Sequence, residues 1–104
     1  MQFELTDANF KSEVLENPEP VLVDFFATWC SPCMMMMPII EDIADYYTDI
    51  NIARANISDV PEMVEKFGIR SVPTLIVFKK GEIAGRTTGY HSEDEIINFF
   101  KSVK

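Results

Sequence analysis

Apolar residues change their spacing several times along the chain, and each change predicts an element. Phe10, Val14 and Leu15 share one helical face. They follow Thr6 and Asp7, either of which can cap a first helix running to about Glu16. Asn17-Pro18-Glu19-Pro20 closes that helix. Val21 to Ala27 is a continuous apolar run broken only by Asp24, the pattern of a strand covered on both faces. Pro32 fits the first turn of the next helix, where a missing N–H costs nothing. This second helix reaches about Tyr47, with Met36, Ile40, Ile43, Ala44 and Tyr47 facing inward and Pro38 expected to kink it. Ile50 to Ile57 predicts a second strand. Ser58 or Asp59 then caps a short helix that Gly68 ends. Thr74 to Lys79 and Ile83 to Thr88 are strands joined by a hairpin through Lys80-Gly81-Glu82. Ser92-Glu93-Asp94-Glu95 forms a capping box for a last helix that buries Ile96, Phe99, Phe100 and Val103. The order (β)αβαβα followed by ββα is an α/β arrangement: a central mixed β-sheet flanked by helices on both faces.

Composition narrows the class. The 104 residues amount to a single domain. An apolar fraction of 47% with twelve aromatics excludes disorder, and two cysteines cannot build a disulfide framework. No apolar run nears the roughly 18 residues of a membrane span. The first residues lack the basic and apolar regions of a signal peptide, so a soluble, cytoplasmic chain is expected. The net charge is −8, concentrated in residues 1–53, where Lys11 is the one base against ten acids. No basic stripe exists, so nucleic acid is not an expected partner. Between Phe25 and Ile40 there is no charge at all, and both cysteines lie in this neutral stretch.

Trp29-Cys30-Ser31-Pro32-Cys33 is a C-x-x-C motif between a buried strand and a helix start. Two intervening residues let the sulfurs meet within one helical turn. Cys30 falls at the helix N-terminus, where unpaired N–H groups and the helix dipole favour a thiolate. Cys33 lies about one turn inside and is better shielded. One thiol is poised to attack a disulfide and the other to resolve the resulting mixed disulfide. The alternatives are an inert buried pair or part of a zinc site, but tetrahedral zinc wants four ligands and the chain adds only His91. A Cys–His hydrolase would need His91 beside Cys30 with an orienting group, and a surface place next to the last helix cap suits His91 better. Asp24, buried in its strand without an evident cation, should have a raised pKa and could move protons.

The sequence resembles the thioredoxin family. The resemblance is carried by Val23-Asp24-Phe25, Ala27, Trp29-Cys30-x-Pro32-Cys33, Pro38, Gly68-Ile69-Arg70-Ser71-Val72-Pro73-Thr74, Phe78-Lys79-x-Gly81 and Gly89, in family order across nearly the whole chain. It implies a thioredoxin fold and dithiol–disulfide exchange with disulfide-containing protein substrates. A thioredoxin reductase would return electrons to the dithiol, and no other cofactor is required. It makes Asp24 the base that deprotonates Cys33. It also implies a cis Val72–Pro73 bond facing the cysteines, with Val72 backbone groups pairing an extended substrate segment. Trp29, Ser31, Pro32, Val72, Pro73, Gly89 and Tyr90 are the candidate substrate contacts. Nothing points to an obligate interface, so a monomer is expected.

Several residues depart from the family pattern. Ser31 stands where Gly is usual, Phe26 where Trp is frequent, and Met34 where many members carry a base. Ser58 replaces a common Asp, Arg54 a usual Lys near the buried Asp, and Tyr90 enlarges a small position. In the run Met34-Met35-Met36-Met37, the last two are expected in the core and the first two are expected partly exposed. A soft Cys/Met copper(I) site is chemically conceivable there, but packing alone explains the run. Two rival functions differ in kind: an oxidant or isomerase of the same fold, and a binding subunit using the fold as a rigid surface. The first would favour an export signal and a stabilised dithiol, and the second would not need two intact cysteines.

Overall fold

The computed structural model describes residues 2–104. Thr6 caps the first helix, α1 (Asp7–Phe10), through a reciprocal box with Asn9. The helix then widens into a π-helical turn over Lys11–Leu15 before Glu16. The strands are β1 (Val21–Phe26), β2 (Asn51–Asn56), β3 (Thr74–Lys79) and β4 (Glu82–Thr88), and the remaining helices are α2 (Ser31–Tyr46), α3 (Pro61–Lys66) and α4 (Glu93–Val103). The sheet order is β2-β1-β3-β4. β1 runs parallel to β2 and antiparallel to β3, and β3 pairs antiparallel with β4. This is the mixed sheet expected from the sequence. Of the bracketed first strand only a bridge between Glu4 and Arg54 forms, on the outer side of β2.

Alternation along each strand divides the core in two. Val21, Val23, Phe25, Ala53, Ala55, Ile76 and Phe78 face α1, its π turn and α3, packing with Phe10, Val14 and Val60. Leu22, Ile52, Leu75 and Val77 face α2 and α4, against Met36, Ile40, Ile43, Ile96 and Phe100. Every residue of β1 is buried, as a central strand covered on both faces requires. β4 is the opposite: mostly exposed, at the rim, with a register irregularity where Val77 and Phe78 pair with it. Lys80 and Gly81 both take positive φ, 52° and 82°, and close the β3–β4 hairpin in two residues. A Cβ at Gly81 would also stand 3.1 Å from the Leu15 carbonyl oxygen.

Three expectations need correction. The short helix α3 is capped by neither Ser58 nor Asp59; its N-cap position is Val60, which offers no side-chain bond. Instead the Asp7 carboxylate of α1 accepts the Glu62 and Met63 N–H groups at 3.1 and 3.3 Å. Ser58 hydrogen-bonds Asn56. Ala44 is exposed rather than inward, because Ile43 and Tyr47 occupy the inner stripe and Ala44 lies on the rim of a cleft with Phe3 and Asn51. Met37 is only half-buried, its sulfur accepting a bond from Arg54 at 3.0 Å. α2 continues unbroken through Pro38.

Candidate functional site

β1 runs out at Phe26, and the chain turns through Ala27–Trp29 into α2. Cys30 is the N-cap of α2, in extended backbone conformation, and Cys33 lies one turn inside. The two form a disulfide with Cα atoms 5.2 Å apart. Their environments differ. Cys30 is 6% exposed and Cys33 0%, so an incoming sulfur can reach Cys30 first. Cys30 Sγ also accepts the Cys33 N–H at 3.2 Å. On reduction, that donor and the free N–H groups of the first turn would stabilise a thiolate at Cys30.

A loop from the far side of the sheet faces this pair. Val72–Pro73 is cis, as the family resemblance implied, and the Val72 carbonyl oxygen lies 3.7 Å from Cys30 Sγ. Phe26, Ala27, Cys30 and Cys33 form a small buried cluster against which Met37, Ile57 and Val72 pack. Trp29 is 76% exposed and therefore a rim residue, not a core one. With Ile57, Ile69, Arg70, Ser71 and Val72 it lines a groove of about 340 Å³. Ser31 and Pro32 are exposed in the first turn of α2. Pro73 is buried, and its carbonyl accepts the Gly89 N–H at 2.9 Å, tying the Gly89–Tyr90 corner to this loop. Tyr90 is half exposed; Pro32, Gly89 and Tyr90 stand outside the lining of the Trp29 groove. Ile57, Ile69, Arg70 and Ser71 were not among the residues singled out as contacts. Three of them directly precede Val72, so their position beside the expected cis bond was the available signal.

Asp24 sits in the middle of β1, wholly buried, on the sheet face covered by α2 and α4. Among the described residues neither of its oxygens has a hydrogen-bond partner. Burial, the larger influence, pushes its pKa up from 3.8 to about 7, and the Arg54 charge on β2 pulls the other way. A carboxyl held near neutrality can be a proton donor or acceptor at physiological pH.

The remaining candidates fall outside this chemistry. His91 is half-buried beside α4, its Nε2 within 3.2 Å of Thr87 Oγ1 and 3.1 Å of the Thr88 carbonyl. Met34 and Met35 are exposed on α2, and Met36 is buried. Among the described residues no three His, Cys, Asp or Glu side chains gather where a metal ion could sit, and no helix is long and apolar enough to cross a membrane.

Comparison with known proteins agrees with this geometry. The family model described as thioredoxin matches residues 1–102. A thioredoxin of Rickettsia bellii is 43% identical over 103 residues, covering 98% of each chain. A thioredoxin of Alicyclobacillus acidocaldarius is also 43% identical, over 88% of each chain. The protein named thioredoxin 1 in Synechococcus elongatus is 45% identical over 82% of this chain and 80% of its own.

Proposed function

Because the chain belongs to the thioredoxin family and is a thiol–disulfide oxidoreductase, we propose that it reduces protein disulfides with Cys30 as nucleophile and Cys33 as resolving thiol. The observation carrying this reading is the unequal exposure of the two cysteines at one helix start, with Cys30 at the N-cap and Cys33 one turn inside. In the reduced protein the Cys30 thiolate attacks one sulfur of a substrate disulfide. A Cys30–substrate disulfide forms and the other substrate sulfur leaves as thiolate, taking up a proton. Asp24 accepts the Cys33 proton. The Cys33 thiolate then attacks Cys30, closing the internal disulfide and releasing the second substrate thiolate, which is protonated in turn. Two electrons have passed from the protein to the substrate.

The cycle restarts when a partner reductase, a thioredoxin reductase, returns two electrons to the pair. The groove beside Trp29 suits an extended substrate segment lying along Val72, with recognition through backbone groups. Ser31, Pro32, Pro73, Gly89 and Tyr90 border this contact. A monomer built as one domain over 1–104 suffices, since both cysteines and the facing loop come from one chain. Cytoplasmic residence fits a dithiol kept reduced by its surroundings.

The test is a trapping experiment. Incubated with an oxidised protein substrate, a Cys33→Ser variant should accumulate a disulfide-linked adduct through Cys30. Cys30→Ser should form none and lose turnover. Adduct formation through Cys33 in the Cys30→Ser variant at the wild-type rate would reverse the assignment.

A further inference from the structure

Arg54 occupies an unusual position in the sheet. Its Cα is the register partner of Asp24 on one side and of Glu4 on the other. Residues paired across adjacent strands project to the same face. Glu4, Arg54 and Asp24 therefore form a lateral row in which one guanidinium stands between two carboxyl groups. It engages only one of them. Nε and Nη2 both reach Glu4 Oε1 at 2.5 Å, the guanidinium carbon lies 4.8 Å from the Phe3 ring centre, and Nη1 donates to the Met37 sulfur at 3.0 Å. The backbone fixes this arrangement: Arg54 N–H donates to the Phe3 carbonyl at 2.8 Å and Leu5 N–H to the Arg54 carbonyl at 3.0 Å. Asp24, the buried neighbour, receives no hydrogen bond from it.

We propose that Glu4 is a positioning residue for the reaction, holding the Arg54 guanidinium at the sheet edge so that Asp24 stays unpaired. This rests on the reading of Asp24 as the acceptor of the Cys33 proton. A carboxylate bridged to arginine would be too weak a base for a thiol, because an opposite charge within about 4–6 Å lowers a carboxyl pKa by about 1–3 units. Arginine cannot be silenced by losing its proton. Its effect on Asp24 can be reduced only by where its head group is held; Phe3, Met37 and the Phe26 ring, 5.9 Å from the guanidinium carbon, surround it, and Glu4 supplies the charge that anchors it. The other groups facing Asp24 are few. β3 presents Leu75, and among the buried residues of α2 and α4 only Cys33 can titrate, once reduced.

Glu4 is exposed, so its substitution leaves the core intact. Carbon-13 NMR titration of the Asp24 carboxyl in the oxidised full chain reads the effect directly, without relying on catalysis. Glu4→Gln should lower the Asp24 midpoint by about one pH unit as the guanidinium turns toward it. Arg54→Met should raise it. In the Arg54→Met background, Glu4→Gln should cause no further change. An unmoved midpoint in Glu4→Gln overturns the proposal. So does a fall of equal size without Arg54, which would make Glu4 a direct field rather than a positioning group. A separate measurement tests the underlying reading. Asp24→Asn should abolish the inflection near neutrality in the pH profile of mixed-disulfide resolution; if the wild-type profile persists, Asp24 is not the base, whatever the titration shows.

Discussion

The buried carboxyl of Asp24 should make the protein less stable as pH rises, by an amount the structure sets. In the unfolded chain Asp24 titrates near its ordinary value of 3.8, while burial in the fold raises it to about 7. The folded state therefore holds this proton more tightly. The stabilisation is fully present below pH 3.8 and is lost as pH climbs through about 7. At 1.36 kcal/mol per pH unit, the difference between the two values corresponds to about 4 kcal/mol. Asp24→Asn removes the charge but leaves a buried amide without obvious partners, which costs about 1–3 kcal/mol. The net expectation is a gain of about 2 kcal/mol at pH 8–9, raising Tm by about 10 °C in a chain of this size. Below pH 4 the variant should be no more stable than wild type. The assay is urea unfolding of the oxidised form of both proteins between pH 3.5 and 9. Other carboxylates titrate in both, so the difference between the curves isolates Asp24. A difference that is flat with pH, or that favours the variant most at low pH, would refute the reasoning.

Other outcomes follow from the packing. Phe10 is fully buried and meets the rings of Phe25, Phe67 and Phe78, so Phe10→Ala should cost about 3–5 kcal/mol in urea unfolding. Asp7→Ala removes the carboxylate that accepts two N–H groups of α3 and should cost about 1 kcal/mol; Asp59→Ala should cost less than half of that, although Asp59 adjoins the helix in sequence. Trp29→Ala should change stability by less than about 0.5 kcal/mol, because the side chain is mostly in water, yet raise KM for a protein disulfide several-fold.

Much of this was legible in the chain because local pattern and tertiary demand coincide. The run from Val21 to Ala27 can only be a covered strand, and its one charge marks itself. The C-x-x-C pair at a strand-to-helix junction carries its chemistry in its spacing. The Ser92 box and the Lys80-Gly81 turn are complete within four residues each. The failures are those that the local pattern does not encode. Asp7 caps a helix 55 residues away, and no window around Ser58 and Asp59 contains it. Ala44 has an inward-looking period, but its neighbours on α2 fill the space. Glu4 gains its partner only when residues 3–5 settle beside β2, which one isolated bridge is enough to achieve. The π-helical turn at Lys11–Leu15 has no residue signature in the pattern used to place the first helix.

The exposed strand β4 bears on how the molecule avoids its own kind. A sheet rim with free N–H and C=O groups invites pairing with a second chain, and through it aggregation. Here that rim is approached past Lys79, Lys80 and Glu82, carries the exposed Arg86 and Thr88, and is bent by the irregularity at Val77 and Phe78. Charge and a broken ladder both penalise an added strand. The other rim is partly occupied by the backbone of Phe3–Leu5. The proposed docking of an extended segment along Val72, beside Cys30, lies away from both of these margins. On the proposed reading, main-chain recognition belongs to the loop beside the sulfur chemistry, and charge and irregularity at the β4 margin penalise pairing that would only produce fibres.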